Sequence, residues 1–452
     1  MNAFTKHLRA AHRPRWHIPK IRIMKLRPFL ALVLPVLCAR LASGVPATLT
    51  ELNPRDGLPV FLAKANAGNK AELRVAFLGG SITAANGWRV GTLEVLRKTF
   101  PDTRFTEIQA ALPGTGSDFG AARLHENVLV HQPDLLFVEF AVNDLGKPAS
   151  QIERTMEGIV QQARLALPDL DIWFVYTLSS AGLADMKAGR YPSSARAMEN
   201  VASHYGIPSL QFGVEILRRL ENGSLVFRGP PDDPKSFTGD NVHPTAAGHR
   251  IYTEAVARSL PGLASASAGK DASASRSLPP PLHPDNWADA RLVPAERILK
   301  MVTGSPAVRL PDSDHRFAAI PENLRRPTWQ ITRPGDVLSF EFEGSAFGLA
   351  SLKGPDAGSF RVTVDDRPPR DVTLFDSFCQ PRRYRVRPWF YPETLSPGRH
   401  RVKIELLAAA PDKARILKKG DKIAALLAAD PDYARNVLTL SDLLLSGRLV
   451  TP

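Results

Sequence analysis

Cysteine is nearly absent from this 452-residue chain, which contains Cys38 and Cys379 alone. Cys38 lies in a segment that we expect to be removed from the mature protein, and Cys379 would then have no intrachain partner. A structural disulfide and a cysteine-ligated zinc site are therefore not expected.

The sequence also lacks a recognisable nucleic-acid-binding motif, such as a helix-turn-helix or a zinc finger. Its formal net charge is +13, and the lysines and arginines are scattered outside one cluster over residues 6–27. This pattern favours a basic proteome or an envelope location over nucleic-acid binding. A basic surface would also attract acidic polysaccharides or anionic membranes.

Residues 1–44 are typical of a targeting leader. A basic start at residues 24–27 precedes the mostly apolar residues 28–39, which are too few to span a bilayer comfortably. We expect cleavage after this segment, no membrane span in the mature chain, and a periplasmic or secreted location. An uncleaved anchor is the alternative, and the pattern leaves the start codon open between Met1 and Met24.

From residue 71 onward, short apolar runs that end at turn residues alternate with segments of helical spacing. Runs of this kind are typical of buried parallel strands. The predicted strands are 74–78, 105–109, 134–140, 171–176 and 208–210, and the predicted helices are 88–100, 121–131, 152–166, 195–204 and 246–260. The alternation predicts a doubly wound α/β domain with a parallel sheet, which we place at residues 45–262.

The composition changes at residues 263–285, where alanine, serine, glycine and proline predict a linker. Beyond it, apolar and polar residues alternate with period two, and turn signals separate the runs. The predicted strands there are 336–342, 359–365, 400–406 and 438–450. Residues 286–452 are therefore predicted to form a smaller antiparallel β-sandwich, and the charged stretch 411–433 is interpreted as a helical excursion.

Ser81 lies in the segment Gly-Gly-Ser-Ile-Thr at residues 79–83, between the first predicted strand and a helix. A serine in this position exposes its hydroxyl at the carboxyl edge of the sheet, where open α/β sheets bind ligands. The helix N-terminus behind it favours a developing negative charge. Taken alone, the segment is also that of an ordinary turn or helix cap.

The most specific motif is Asp-Asn-Val-His-Pro at residues 240–244, before the last helix of the α/β domain. His243 can accept the proton of Ser81 and return it to a leaving group. Asp240 precedes it by three residues, close enough to orient the imidazole. A lone His-Pro would more often mark a helix-entry loop, and His249 is interpreted as a capping or packing residue.

Two further segments follow predicted strands, namely Ala-Ala-Leu-Pro-Gly-Thr-Gly-Ser at residues 110–117 and Glu-Phe-Ala-Val-Asn-Asp at residues 139–144. With the two motifs above, and in this order, they resemble the four signature blocks of the SGNH hydrolases, also called GDSL esterases. The resemblance covers roughly residues 71–260. It implies a three-layer α/β/α fold and ester hydrolysis without a metal or another cofactor.

The resemblance implies roles for individual residues. Ser81 would be the nucleophile, with Asp240 and His243 as its partners. The oxyanion hole would consist of the Ser81 N–H, the Gly114 N–H and the Asn143 side chain, with Gly116 as the fallback for Gly114. The sequence departs from the family pattern in having Gly-Gly-Ser for Gly-Asp-Ser, and alanine for the glycine two residues before Asn143.

The second domain loosely resembles jelly-roll modules found beside carbohydrate esterases, on Asp-Ala-Gly-Ser at residues 356–359 and Gly-Arg-His at residues 398–400. Five of its aromatic side chains either stack on sugar rings or belong to the core, and these are Trp329, Tyr384, Trp389, Phe390 and Tyr391. With the leader, the module implies a deacetylase of an extracytoplasmic polysaccharide. The alternatives are a lysophospholipase or short-chain acyl esterase, a glycan O-acetyltransferase, and a non-enzymatic carbohydrate-binding protein.

Overall fold

The computed structural model describes residues 49–68, 72–270, 278–418, 423–428 and 430–450, all within one compact unit. The predicted leader at residues 1–44, with Cys38, lies outside the described residues. So do residues 271–277 of the predicted linker. The leader, the site of its cleavage and the domain boundaries stay predictions.

The chain up to residue 267 alternates helices and strands. Its elements are β1 (Leu52–Asn53), α1 (Pro59–Ala67), β2 (Glu72–Gly79), α2 (Ser81–Ala84), α3 (Trp88–Thr99), β3 (Arg104–Ala111), α4 (Ser117–Asn127), β4 (Leu135–Glu139), α5 (Ala149–Ala166), β5 (Asp171–Tyr176), α6 (Ser180–Lys187), α7 (Ser193–His204), β6 (Ser209–Gln211), α8 (Gly213–Glu221), β7 (Val226–Arg228), β8 (Ser236–Thr238) and α9 (Ala246–Ser267).

The later elements are mostly strands. They are β9 (Ala290–Pro294), α10 (Glu296–Leu299), β10 (Val302–Thr303), β11 (Val308–Arg309), β12 (Trp329–Ile331), β13 (Val337–Lys353), β14 (Ser359–Val364), β15 (Arg370–Thr373), β16 (Arg385–Phe390), β17 (Gly398–Leu406), α11 (Lys413–Leu417), α12 (Ile423–Ala428) and β18 (Leu438–Val450).

The first domain is built on one sheet with the strand order β1-β6-β5-β4-β2-β3. Strands β2 to β6 run parallel, and β1 pairs antiparallel with β6 at the edge. The central strands are apolar on both faces because α4, α5 and α7 cover one face and α1, α3 and α9 cover the other. The predicted three-layer α/β/α fold is confirmed.

Helix α9 continues past its predicted end at residue 260, so residues 263–267 of the predicted linker are helical. Leu263 is fully buried, and the Ser267 hydroxyl accepts a hydrogen bond from the Leu58 N–H at 2.8 Å. Farther along, Trp287 packs into the core of the first domain. These contacts are long-range, which is why local composition did not indicate them.

The second domain is an antiparallel β structure around the long strand β13. The N-terminal half of β13 pairs with β17, its C-terminal half pairs with β16, and β18 follows most of its length. Register shifts at Gly344/Ala346 and Ala350/Ser351 mark irregularities of the kind that bend a strand. The predicted antiparallel domain is confirmed, and α11 and α12 lie within the charged stretch 411–433.

The two domains share an apolar cluster around α4, which we call the α4 interface. It joins Leu112, Phe119 and Ala122 of the first domain to Leu292, Leu310, Phe317, Ile320, Leu324, Ala350, Leu352, Tyr384 and Leu444 of the second. Side chains with this degree of burial resemble a domain core rather than a mobile contact. The second domain is thereby held against the loop that begins at the end of β3.

Candidate active site

Three strands of the first domain end side by side and bring three predicted site residues together. The register pairs Gly79 of β2 with Ala111 of β3 on one side and with Glu139 of β4 on the other. Because all three strands are parallel, their following loops leave from the same edge of the sheet. Ser81 is the first residue of α2, directly after β2, and Gly114 and Asn143 lie on the loops that follow β3 and β4.

Ser81, His243 and Asp240 form a continuous chain of hydrogen bonds. The Ser81 Oγ is 2.8 Å from His243 Nε2, and His243 Nδ1 is 2.7 Å from Asp240 Oδ2. The side chains of His243 and Asp240 are 50% and 57% exposed, so the site is open to water. The predicted serine, histidine and aspartate are thus in the geometry of a nucleophile, a general base and a base-orienting carboxylate.

The loop that carries Asp240 is held by hydrogen bonds from its own backbone to the Asp240 carboxylate. Its Oδ1 accepts the backbone N–H groups of Val242 and His243 at 2.9 and 2.8 Å. Partial burial alone would raise the pKa of Asp240, but hydrogen bonds from the His243 ring and from these two N–H groups outweigh it and hold this pKa well below its usual range. The carboxylate is therefore ionised at neutral pH, as an orienter of the imidazole requires.

The Asn143 side chain lies directly against the residue that precedes Ser81. A Cβ atom built on Gly80 would overlap Asn143 Oδ1 and would lie 2.8 Å from Asn143 Cγ. The neighbouring Asp144 is buried and accepts the Ser117 N–H with both carboxylate oxygens at 3.2 Å. This bond ties the Asn143 loop to the start of α4.

Gly114 and Gly116 differ in backbone conformation. Gly114 has φ of +71°, a left-handed value that favours glycine, whereas Gly116 has φ of −104° and immediately precedes α4. A side chain on Gly116 would run into Lys147, whose Nζ would lie 2.5 Å from the added Cβ. Of the two predicted candidates, Gly114 is on the turn between β3 and α4, and its assignment as an oxyanion donor stays a prediction.

Two buried charged residues support the site and were assigned no role from the sequence. Glu139, at the end of β4, accepts hydrogen bonds from Thr83 at 2.7 Å and from Thr177 at 2.6 Å, and burial raises the pKa of Glu139. Arg123 of α4 donates to the carbonyl of Ala110, and burial lowers the pKa of Arg123 to about 9. The sequence did contain a signal for Glu139, because it is a lone glutamate at the end of an apolar strand.

His249 has the packing role predicted for it. Its Nδ1 accepts the backbone N–H of Trp88, the first residue of α3, at 3.2 Å. Burial, with a smaller effect from His243, lowers the pKa of His249 to about 4. The imidazole is therefore neutral at neutral pH and caps a helix rather than serving as a second base.

The five aromatic residues proposed for sugar stacking do not form an exposed platform. Tyr384 and Tyr391 are buried, and Trp329 and Trp389 are partly buried against the core of the second domain. Phe390 packs on Trp287, with ring centroids 5.2 Å apart. The core interpretation of these residues holds.

In the described ranges, no group of three or more His, Cys, Asp or Glu side chains is arranged to hold a metal ion. Within those same residues, no helix has the length and apolar character needed to cross a membrane.

Comparison with known proteins gives one family and one fold. Residues 77–251 match the model of the GDSL-like lipase/acylhydrolase family. A search of curated protein sequences finds no match. The crystal structure of a two-domain esterase (CEX) active on acetylated mannans, co-crystallised with mannopentaose, superposes with a TM-score of 0.65 at 20% identity and covers 89% of this chain and 100% of that chain.

A second crystal structure, of a two-domain esterase (CEX) active on acetylated mannans, gives a TM-score of 0.65 at 20% identity and covers 88% of this chain and 99% of that chain. At this identity the likeness establishes the two-domain fold. The family model covers the strands and loops that carry Ser81, Gly114, Asn143 and His243. The chain is therefore a carboxylic ester hydrolase with two domains, and residues 77–251 of the first domain match the GDSL-like lipase/acylhydrolase family.

Proposed function

We propose that the protein is a serine esterase that removes acyl groups, principally acetyl groups, from carbohydrate outside the cytoplasm. The observation that carries the mechanism is the hydrogen-bonded chain from Ser81 through His243 to Asp240. A hydroxyl bonded to an imidazole, which is bonded in turn to an ionised carboxylate, is equipped for nucleophilic acyl transfer.

In the proposed reaction, Ser81 Oγ attacks the ester carbonyl carbon while its proton passes to His243 Nε2. The tetrahedral oxyanion is stabilised by the N–H groups of Ser81 and Gly114 and by the Asn143 amide, and each such donor typically lowers the barrier by about 3–4 kcal/mol. His243 then protonates the departing alkoxide of the sugar. A water molecule, activated by His243, hydrolyses the acyl-enzyme and releases acetate.

A carbohydrate substrate is supported by the two-domain architecture. An esterase active on acetylated mannans has the same fold over 89% of this chain. The predicted leader would place the enzyme where polysaccharides occur. The open site, with half-exposed His243 and Asp240, also suits an ester attached to a bulky polymer. A lysophospholipase, a short-chain acyl esterase and a glycan O-acetyltransferase remain the alternative activities.

The test uses 4-nitrophenyl esters of increasing chain length and acetylated polysaccharides, with acetate release as the second readout. Ser81→Ala is expected to lower kcat by roughly four orders of magnitude or more, because no other group replaces the nucleophile. Ser150→Ala, at an exposed helical position, is the control and should match the wild type. Undiminished activity in Ser81→Ala would overturn the mechanism, and activity on long-chain lipids without acetate release would overturn the substrate.

A further inference from the structure

Arg387 of the second domain lies against Gly114 of the first. It lies on β16, opposite Ser351 of β13. A Cβ built on Gly114 would overlap the Arg387 guanidinium, with Nη2 only 2.6 Å away. The guanidinium therefore lies on the one face of Gly114 where any other residue would project its side chain, and both residues retain part of their exposure.

The guanidinium of Arg387 belongs to a cluster with an excess of positive charge, which we call the basic cluster. It consists of Lys353, Arg385 and Arg387, with Lys353 directly opposite Arg385 in the β13–β16 pair. Asp376 is the carboxylate that faces them, and it is engaged by Arg385 at 2.6 Å. Burial, and then the like charge of Arg385, lower the pKa of Arg387, while Asp376 opposes the shift.

Within the part of the chain that the structure describes, the Arg387 side chain makes no hydrogen bond and no ion pair. A half-buried guanidinium without a partner is costly, because it has lost part of its hydration and gained no acceptor in exchange. The α4 interface and the β13–β16 pairing hold it in place at this cost. A carboxylate on a bound ligand would supply acceptors for these donors.

The geometry points to a subsite for a carboxylate on the substrate, formed by Arg387 with Lys353 and placed beside the proposed oxyanion hole. The planar guanidinium binds a carboxylate through two parallel hydrogen bonds, which selects orientation as well as charge. On a carbohydrate, the group of this chemistry is the carboxylate of a uronic acid. This inference rests on the proposed function and narrows its substrate class to O-acetylated, uronate-containing glycans.

The test compares two polymers that differ at the carboxyl group, which is charged in one and a neutral methyl ester in the other. Polygalacturonate is chemically acetylated, and the preparation is divided into two portions. One portion is then methyl-esterified so that its carboxylates become neutral. Wild-type protein should release acetate faster from the charged polymer, and added NaCl should reduce that preference by screening. In Arg387→Met, which keeps an unbranched apolar stem but removes the guanidinium, the ratio of kcat/KM for the charged over the neutral polymer should fall roughly tenfold or more.

Two further variants make the result specific. Arg361→Met removes one positive charge from an exposed strand of the same domain, where Arg361 pairs with Asp371, and should leave the ratio unchanged. Arg387→Lys keeps the positive charge but cannot form the two parallel hydrogen bonds of a guanidinium, and it should give an intermediate ratio. Thermal unfolding of each variant excludes a folding defect as the cause.

The outcomes separate this inference from the proposed function. An unchanged ratio in Arg387→Met, or no wild-type preference for the charged polymer, overturns the carboxylate subsite while Ser81-dependent acetate release still supports the esterase. Absence of Ser81-dependent acetate release from every acetylated polymer overturns the proposed function, and the subsite with it.

Discussion

Gly80 shows how closely the nucleophile loop is fitted to the asparagine of the candidate oxyanion hole. Its backbone, with φ of −93° and ψ of −154°, is one that alanine adopts without strain. What excludes a larger residue is the Asn143 carboxamide, which occupies the position of the absent Cβ. The second glycine of the Gly-Gly-Ser segment therefore leaves the space that the Asn143 side chain occupies.

This contact predicts the behaviour of Gly80→Ala. The added methyl group should displace Asn143 and lower kcat roughly 100-fold, the usual effect of losing one oxyanion donor, with little change in thermal stability. Asn143→Ala should give a similar loss. The double variant should lose no more than either single variant, because both remove the same interaction. Multiplicative losses in kcat would show that Gly80 and Asn143 act independently.

At the same scale, the sequence predicted residues whose roles are local and missed those whose roles depend on distant contacts. Asp240 and His243 are three positions apart, so their spacing alone indicated a hydrogen-bonded pair. Arg123 and Glu139 support the site through contacts with other strands and loops. Nothing in the residues around Arg387 indicated Gly114, which is far away in sequence and belongs to the other domain.

At the scale of elements, the contact between α3 and α9 depends on small residues. A Cβ on Gly87 would overlap the His249 ring, and one on Gly91 would overlap Thr253. The helices can therefore approach closely, and His249 of α9 caps α3 through the Trp88 N–H. A cap contributed by a neighbouring helix fixes the position of α9, whose first turn follows the loop of Asp240 and His243.

The cap predicts a pH dependence of stability. The pKa of His249 is about 4 in the folded protein and 6.5 ordinarily, so between these values the unfolded chain binds a proton that the folded protein does not. The free energy of unfolding should therefore decrease as pH falls from about 6.5 to about 4, by at most about 3 kcal/mol. Urea unfolding at several pH values measures this slope.

The control for that slope is a pair of substitutions. His249→Gln removes the titrating group and should flatten the pH dependence in this window. His125→Gln alters a histidine whose side chain is 61% exposed and should leave the slope as in the wild type. Equal slopes in all three proteins would show that His249 is not the titrating group.

Elements were predictable where their pattern was strong. The central strands of the first domain are continuous apolar runs, and β5 begins and ends at the predicted residues. The end of α9 was not predictable, because Pro261 and the small residues after it indicate a linker. The helix nevertheless continues to Ser267, and the burial of Leu263 stabilises this last part. Short elements such as α6 and α8 also escaped prediction, since eight or nine residues carry little periodicity.

At the scale of the whole molecule, the α4 interface should make the two domains unfold together. Phe119 is buried between them, and an apolar contact of this kind couples their stabilities. Calorimetry should give one transition. Phe119→Ala should lower the free energy of unfolding by about 3–5 kcal/mol. Leu165→Ala, at a side chain that is 67% exposed, should have little effect, and two resolved wild-type transitions would contradict the coupling.

The contact of Arg387 with Gly114 also bears on how such an enzyme is redesigned. A different β3–α4 loop in the first domain would have to pack against Arg387 of the present β16. A different β16 would in turn have to pack against Gly114, where the contact leaves no space for a side chain. Retargeting by swapping whole domains would therefore separate matched parts. A redesign should therefore exchange the β3–α4 turn and β16 together.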